Sequence, residues 1–210
     1  MKIAEDKNLR IERLTLGEYE TNTYLLTCRQ TGESLIIDAP AVSDEILNLV
    51  KGTKPKYILL THDHIDHIEG MGWLRDKLKI PLATHELNSY QLNKRPDILL
   101  KGGDIINLGK LKINVLFTSG HTPGGLCFNV GRYLFAGDTI FPGGPGHTET
   151  PEDFETILES ITETIFKLPS ETVILPGHGE STTIEKSKAE YAVFAAGNHE
   201  GIYGDVTWQS

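Results

Sequence analysis

The sequence has little cysteine, methionine or tryptophan, with two of each in 210 residues. Neither Cys28 nor Cys127 has the spacing of a metal-ligand or redox pair. Both lie in apolar, strand-like runs, so buried reduced thiols are expected rather than a disulfide. Long hydrophobic runs are missing as well. No apolar stretch approaches the ~20 residues that span a bilayer, and the opening "MKIAEDKNLR" lacks the apolar segment of a secretory leader. A cytoplasmic chain with no membrane partner is expected. Positive charge is also in short supply, with 20 Lys and Arg against 29 Asp and Glu and a net charge of −9. An acidic surface repels phosphate backbones, so no nucleic-acid partner is expected. The "GGPG" stretch at 143–146 is not followed by Gly-Lys-Ser/Thr, which excludes a phosphate-cradling loop of that type. Repeats, heptads and low-complexity tracts are absent.

What is present reads as one domain over 1–210. Strand-like runs at 10–16, 21–28 and 33–39 are separated by polar, glycine-containing turns. Ser43 is placed to cap a short helix reaching about 51, with Asp44 and Glu45 in its first turn. The nearly continuous apolar run at 56–61 suits a strand covered on both faces. A helix at 68–78, a strand at 81–85, a helical turn at 86–93 and a loop at 94–104 follow. Strands return at 112–118, 126–130 and 133–137, and 141–150 reads as a loop. Thr150 then caps a helix with Pro151 at its first position, and Phe154, Ile157, Leu158, Ile161 and Ile165 form one apolar stripe. A strand at 172–176 and a helix at 183–196 complete the pattern. Strands alternating with helices indicate a layered, mixed α and β domain.

Histidine is concentrated rather than scattered. Three of the eight histidines lie in "THDHIDH" at 61–67, directly after a strand-like run. Neutral imidazole and carboxylate are the ligands that borderline divalent metals prefer. An accidental H-x-H-x-D-H in a chain of this composition has a frequency on the order of one in a thousand. His121 in "TSGHTPGG", Asp138 in "LFAGDTIF" and His178 in "ILPGHGES" each stand just beyond another strand-like run. Four strand ends therefore deliver ligand-type residues, and neighbouring glycines permit the tight turns that expose them. His85 reads as a structural or helix-cap residue. His147 and His199 read either as neighbours of the pocket or as plain surface histidines.

These motifs resemble the metallo-β-lactamase-fold superfamily, above all its glyoxalase II-like (hydroxyacylglutathione hydrolase-like) branch, from Asp38 in "LIIDAP" to His178. The resemblance implies an α+β fold, a four-layer αββα sandwich with a two-metal site at one edge of its packed sheets. It implies that His62, His64 and His121 hold one metal, that Asp66, His67 and His178 hold a second, and that Asp138 bridges both. Asp38 would stand close behind the ligands. Zinc is expected first, with iron or manganese as alternatives. Asp138 and Asp66 would be the catalytic carboxylates. An aspartate at the Asp138 position is similar to thioester hydrolases and nucleases, and differs from the true zinc β-lactamases, where none bridges.

The activity implied is hydrolysis of a small thioester or ester by a hydroxide held between two ions ~3.5–4 Å apart. A mononuclear-iron persulfide dioxygenase is the alternative, with iron at the His62, His121 and Asp138 positions. Glyoxalase II proper adds a C-terminal helical region. Here the residues after His178 leave room for one helix and a short tail, so glutathione recognition is not implied. A small-molecule substrate is the one partner expected, and the oligomeric state is left open.

Overall fold

A computed structural model describes residues 1–209. Its first sheet opens as a meander. β1 (Lys2–Glu5), β2 (Leu9–Leu16), β3 (Thr21–Cys28) and β4 (Glu33–Ile37) pair antiparallel in turn. The chain then crosses over through α1 (Asp44–Val50). The Ser43 hydroxyl accepts from the Glu45 N–H at its start, and Asp44 and Glu45 face the positive end of the helix dipole. β5 (Lys54–Leu59) returns parallel to β4. α2 (Ile65–Ile68) and α3 (Met71–Leu78) lead to β6 (Leu82–His85), and β7 (Ile98–Leu100) closes this edge, both strands again parallel. The seven strands lie in chain order.

The second sheet opens with β8 (Ile105–Leu108), β9 (Leu111–Phe117), β10 (Leu126–Val130) and β11 (Tyr133–Gly137), all antiparallel. A small hairpin follows, β12 (Ile140–Phe141) with β13 (Gly144–Pro145). α4 (Pro151–Glu159) is capped by the Thr150 hydroxyl, which accepts from the Asp153 N–H. β14 (Val173–Pro176) then pairs parallel with β11, β15 (Thr182–Thr183) edges it, and α5 (Ile184–Phe194) ends the regular structure. The strand order is β15-β14-β11-β10-β9-β8.

Three separate apolar clusters show the layering. One holds Leu26, Leu35, Phe128 and Phe135 between the sheets. The second packs Phe154, Ile157 and Phe194 of α4 and α5 against Leu134 and Ile174. The third packs Ile46 of α1 and Leu74 of α3 against Ile36 and Ile58. β3, β10 and β11 are buried along their whole length, because each is covered on both faces. This is the expected α+β, four-layer αββα sandwich. Cys28 and Cys127 are buried free thiols, as expected.

Several elements differ from the sequence reading. The expected loop at 94–104 contains β7, and β1 and β8 were not expected at all. Strands of three or four residues take their pairing from a neighbour already in place and carry too little alternation to be read alone. The 141–150 loop contains the β12–β13 hairpin for the same reason. The helix expected from 68 begins at Ile65 and is interrupted at Gly70, where a Cβ would collide with the Ala41 carbonyl. The α4 stripe does reach Ile165, through a wide π-helical turn at Ser160–Thr164 and a 3-10 turn at Ile165–Lys167. Among the described residues, no helix is long and apolar enough to cross a membrane.

Candidate metal centre

All seven candidate ligands converge at one edge of the sandwich, delivered by four strand ends and the short helix that follows one of them. His62 and His64 follow β5, and Asp66 and His67 ride on α2 immediately after. His121 lies beyond β9, Asp138 directly after β11 and His178 just after β14. The backbone after β5 thus becomes helical within the motif. One helical turn aims Asp66 and His67 back at the residues that precede it.

Three overlapping groups of donor atoms result, each with its atoms within 4.8 Å of one another: His62 with His64 and His121, His62 with His67 and Asp138, and Asp66 with His67 and His178. His64 Nδ1 stands 3.0 Å from His121 Nε2. Asp138 lies between the halves. Its Oδ1 is 3.3 Å from His67 Nε2, and its Oδ2 is 3.3 Å from His178 Nε2 and 3.8 Å from His121 Nε2. Asp66 Oδ2 is 3.1 Å from His178 Nε2 and 3.6 Å from His67 Nε2.

For four of the five histidines, surrounding residues settle which ring nitrogen faces inward. Asp38, at φ +61°, accepts from the Thr61 N–H and hydroxyl at 2.8 Å each. Its Oδ2 also lies 2.8 Å from His67 Nδ1, so that nitrogen carries a proton and Nε2 is left toward the site. The Thr61 hydroxyl spends its proton on Asp38 and accepts from His62 Nδ1 at 3.1 Å. A backbone carbonyl can only accept, so His121 Nδ1 donates to His147 O at 2.8 Å and His178 Nδ1 donates to Tyr19 O at 3.0 Å. Such outer partners orient an imidazole and raise its basicity as a ligand.

The charges fit a cation. Burial drives the His62 imidazole well below its ordinary pKa, with the neighbouring His67 adding to the effect, and burial also lowers His121. Both are neutral, as ligands must be. Burial opposes ionisation of Asp138, but His67 and His178 hold it well below the carboxylate range. Burial alone would lower His178, yet its bonds to Asp138 and Asp66 push it up to about 10. His67 is likewise held well above its ordinary value, against burial, by Asp138 and Asp38. Protons on these two histidines occupy the charge that a metal would bring.

A second observation agrees. His62 Nε2 is buried without a hydrogen-bond partner, and His67 Nε2 and Asp138 Oδ1, 3.3 Å apart, face only each other. Leaving a buried polar atom unpaired costs ~1–3 kcal/mol, and a divalent cation would satisfy all three atoms. The residues therefore fit a divalent metal site.

Some contributors lay outside the sequence reading. The Thr21 hydroxyl donates to Asp66 Oδ2 at 2.9 Å, and Asn22 Nδ2 bonds the carbonyls of Pro176 and Gly179. The polar triplet "TNT" opening an apolar strand was the available signal, since Thr21, Asn22 and Thr23 are all buried. The Tyr19 and His147 carbonyls leave no trace in sequence. His85 caps the 3-10 turn at Glu86–Ser89, accepting from the Leu87 N–H, as its reading allowed. His147 Nδ1 pairs with Asp205 at 2.9 Å and borders a cleft of about 420 Å³ lined by Phe141, Gly143, His147, Asp205 and Val206. His199 stacks on Phe194 at 3.6 Å and bonds its carbonyl, so it serves packing.

Comparison with known proteins places this geometry. The family model described as "Metallo-beta-lactamase superfamily" matches residues 16–178. A protein from Photorhabdus laumondii named hydroxyacylglutathione hydrolase is 33% identical over 187 residues, 87% of this chain and 71% of that one. The crystal structure of BLEG-1 B3 metallo-beta-lactamase superposes with a TM-score of 0.75 at 31% identity, over 85% of this chain and 96% of the other. That of ETHE1 from Myxococcus xanthus does so with a TM-score of 0.76 at 28% identity, covering 85% and 81%.

Proposed function

The chain belongs to the metallo-beta-lactamase superfamily, and from that premise we propose that it is a metal-dependent hydrolase cleaving a small thioester or ester. The observation that carries this reading is Asp138, whose two oxygens face His67 and His178 on one side and His121 on the other. A carboxylate so placed would be within reach of both ions. His62, His64 and His121 would hold one, Asp66, His67 and His178 the other, with zinc expected first and iron or manganese as alternatives. When bound, such a pair supplies a water of near-neutral pKa and a Lewis acid for the scissile carbonyl.

The chain's own residues do the rest. Asp66 lies at the rim of the ligand set, 17% exposed, where its free oxygen can orient the attacking water and take its proton. The outer hydrogen bonds that the imidazoles donate to Asp38, Thr61, Tyr19 and His147 keep the rings from turning during the reaction. A thiolate leaving group, with a free-thiol pKa of ~8.5, needs little help from a general acid. Among the described residues, no lysine or tyrosine side chain bonds a candidate ligand, and a thioester suits a site so furnished. The likeness to a protein named hydroxyacylglutathione hydrolase supports the same substrate chemistry.

Asp138→Ala should abolish thioester and ester turnover and reduce metal content below two ions per chain. Retained turnover would overturn the assignment. The likeness to BLEG-1 adds a β-lactam to the substrate panel. The likeness to ETHE1 favours one second reading, a mononuclear-iron persulfide dioxygenase. Oxygen uptake with glutathione persulfide, together with one iron per chain, would select it.

A further inference from the structure

We propose that the β2–β3 turn governs the occupancy of the second metal position, with Thr21 as a positioning residue for Asp66. This rests on the two-metal reading above. Two of the three ligands on that side, Asp66 and His178, are held by this one turn. Thr21 is fully buried, and its hydroxyl donates to Asp66 Oδ2 at 2.9 Å. Among the described residues, no other side chain outside the ligand set bonds that carboxylate. Two residues earlier, the Tyr19 carbonyl accepts from His178 Nδ1, turning Nε2 inward.

The turn is in turn locked to the loop that carries His178. Thr21 and His178 form an antiparallel bridge, and the Asn22 N–H donates to Gly177 O at 2.7 Å. Asn22 Nδ2 bonds the carbonyls of Pro176 and Gly179, and Arg13 reaches Gly179 O at 2.9 Å. The Tyr19 side chain itself is exposed, so the turn acts through its backbone and Thr21. Glu20 at φ +53° and Gly17 at φ +77° give the turn its shape.

The other half of the centre is supported elsewhere. His62 leans on Thr61 and His121 on the His147 carbonyl, neither of which touches the turn. Loosening Thr21 should therefore empty one position and spare the other. The Thr21 hydroxyl fixes Asp66 Oδ2 through one hydrogen bond and leaves the other carboxylate oxygen free. Whether the chain holds one ion or two would then depend on a residue that touches neither.

The test uses full-length Thr21→Val, which removes the hydroxyl but keeps the β-branched shape, and Thr21→Ser, which restores it. Chelator-stripped proteins are titrated with Co²⁺, followed by ligand-field absorption and by native mass spectrometry. Wild type should bind about two ions. Thr21→Val should bind the first with wild-type affinity and the second about 10–100-fold more weakly, losing its absorption band at low cobalt. Thr21→Ser should behave as wild type. Equal weakening of both positions, or a second position within about twofold of wild type, would overturn the proposal. Wild type binding a single ion would overturn the two-metal reading and this inference with it, whatever the variants do. If Thr21→Val fails to fold, Thr21→Ala is the second hydroxyl deletion, judged by the same criterion.

Discussion

At the residue scale the centre is a set of imidazoles, four of which, His62, His67, His121 and His178, have their outer nitrogens already committed. That leaves little room for added atoms. A Cβ on Gly177 would land on Asp138 Oδ1 and His67 Cε1. Gly177→Ala should therefore displace the Asp138 carboxylate and cut kcat about 100-fold, the scale of a 1 Å misplacement. Circular dichroism should show the fold retained; wild-type kcat would refute the geometry. Protonation makes a second prediction. In metal-free protein the His178 pKa is raised to about 10, so folding favours its protonated form. That stabilisation is complete below the unfolded value of ~6.5 and is lost as pH rises through about 10. The melting temperature of stripped protein should fall across pH 7–10. Loaded protein, with a metal in place of the proton, should lack this fall.

At the element scale the C-terminal segment closes the other flank. The Trp208 backbone N–H donates to Gly143 O at 2.7 Å, and Thr148 bridges Gly204, so the segment holds the β12–β13 hairpin and the His147 carbonyl behind His121. Its anchor is the Trp208 indole, buried against Tyr191 and Phe194 with ring centroids 5.3 and 5.2 Å away. Trp208→Ala should cost about 3–5 kcal/mol in a denaturant melt. On the proposed two-metal reading, it should also weaken binding at His62, His64 and His121 more than at the other position. An unchanged melt would mean the segment is not docked. This flank was only partly legible. Thr150 and Pro151 announced α4 by local capping chemistry, whereas two-residue strands such as β12 exist only through their partner.

At the scale of the whole molecule, three apolar clusters support four layers, and the metal edge spans both sheets. His62 comes from the first sheet's side and His121, Asp138 and His178 from the second's, so a bound ion ties the two sheets together. Metal binds the folded state alone when its ligands are dispersed on unfolding. At metal concentrations ~1,000-fold above Kd this adds about 4 kcal/mol. For a chain of this size that corresponds to a rise in Tm of roughly 10 °C. Scanning calorimetry before and after chelation would measure it. A Tm insensitive to chelator would show that the sheets hold together without the ion.

The amino-acid order alone determined what local chemistry can determine. It dictated the caps at Ser43 and Thr150, the apolar runs of β10 and β11, and which histidines and aspartates follow strand ends. Those features depend on residues a few positions apart, and they sufficed to name the seven candidate ligands. The tertiary structure decided what depends on distant residues meeting. It brought Thr21 to Asp66 across 45 positions and Tyr19 to His178 across 159, and it seated the His147 carbonyl behind His121. Two of those partners are backbone carbonyls, which every residue possesses. Their role is set by where the fold brings them and cannot be encoded in residue identity.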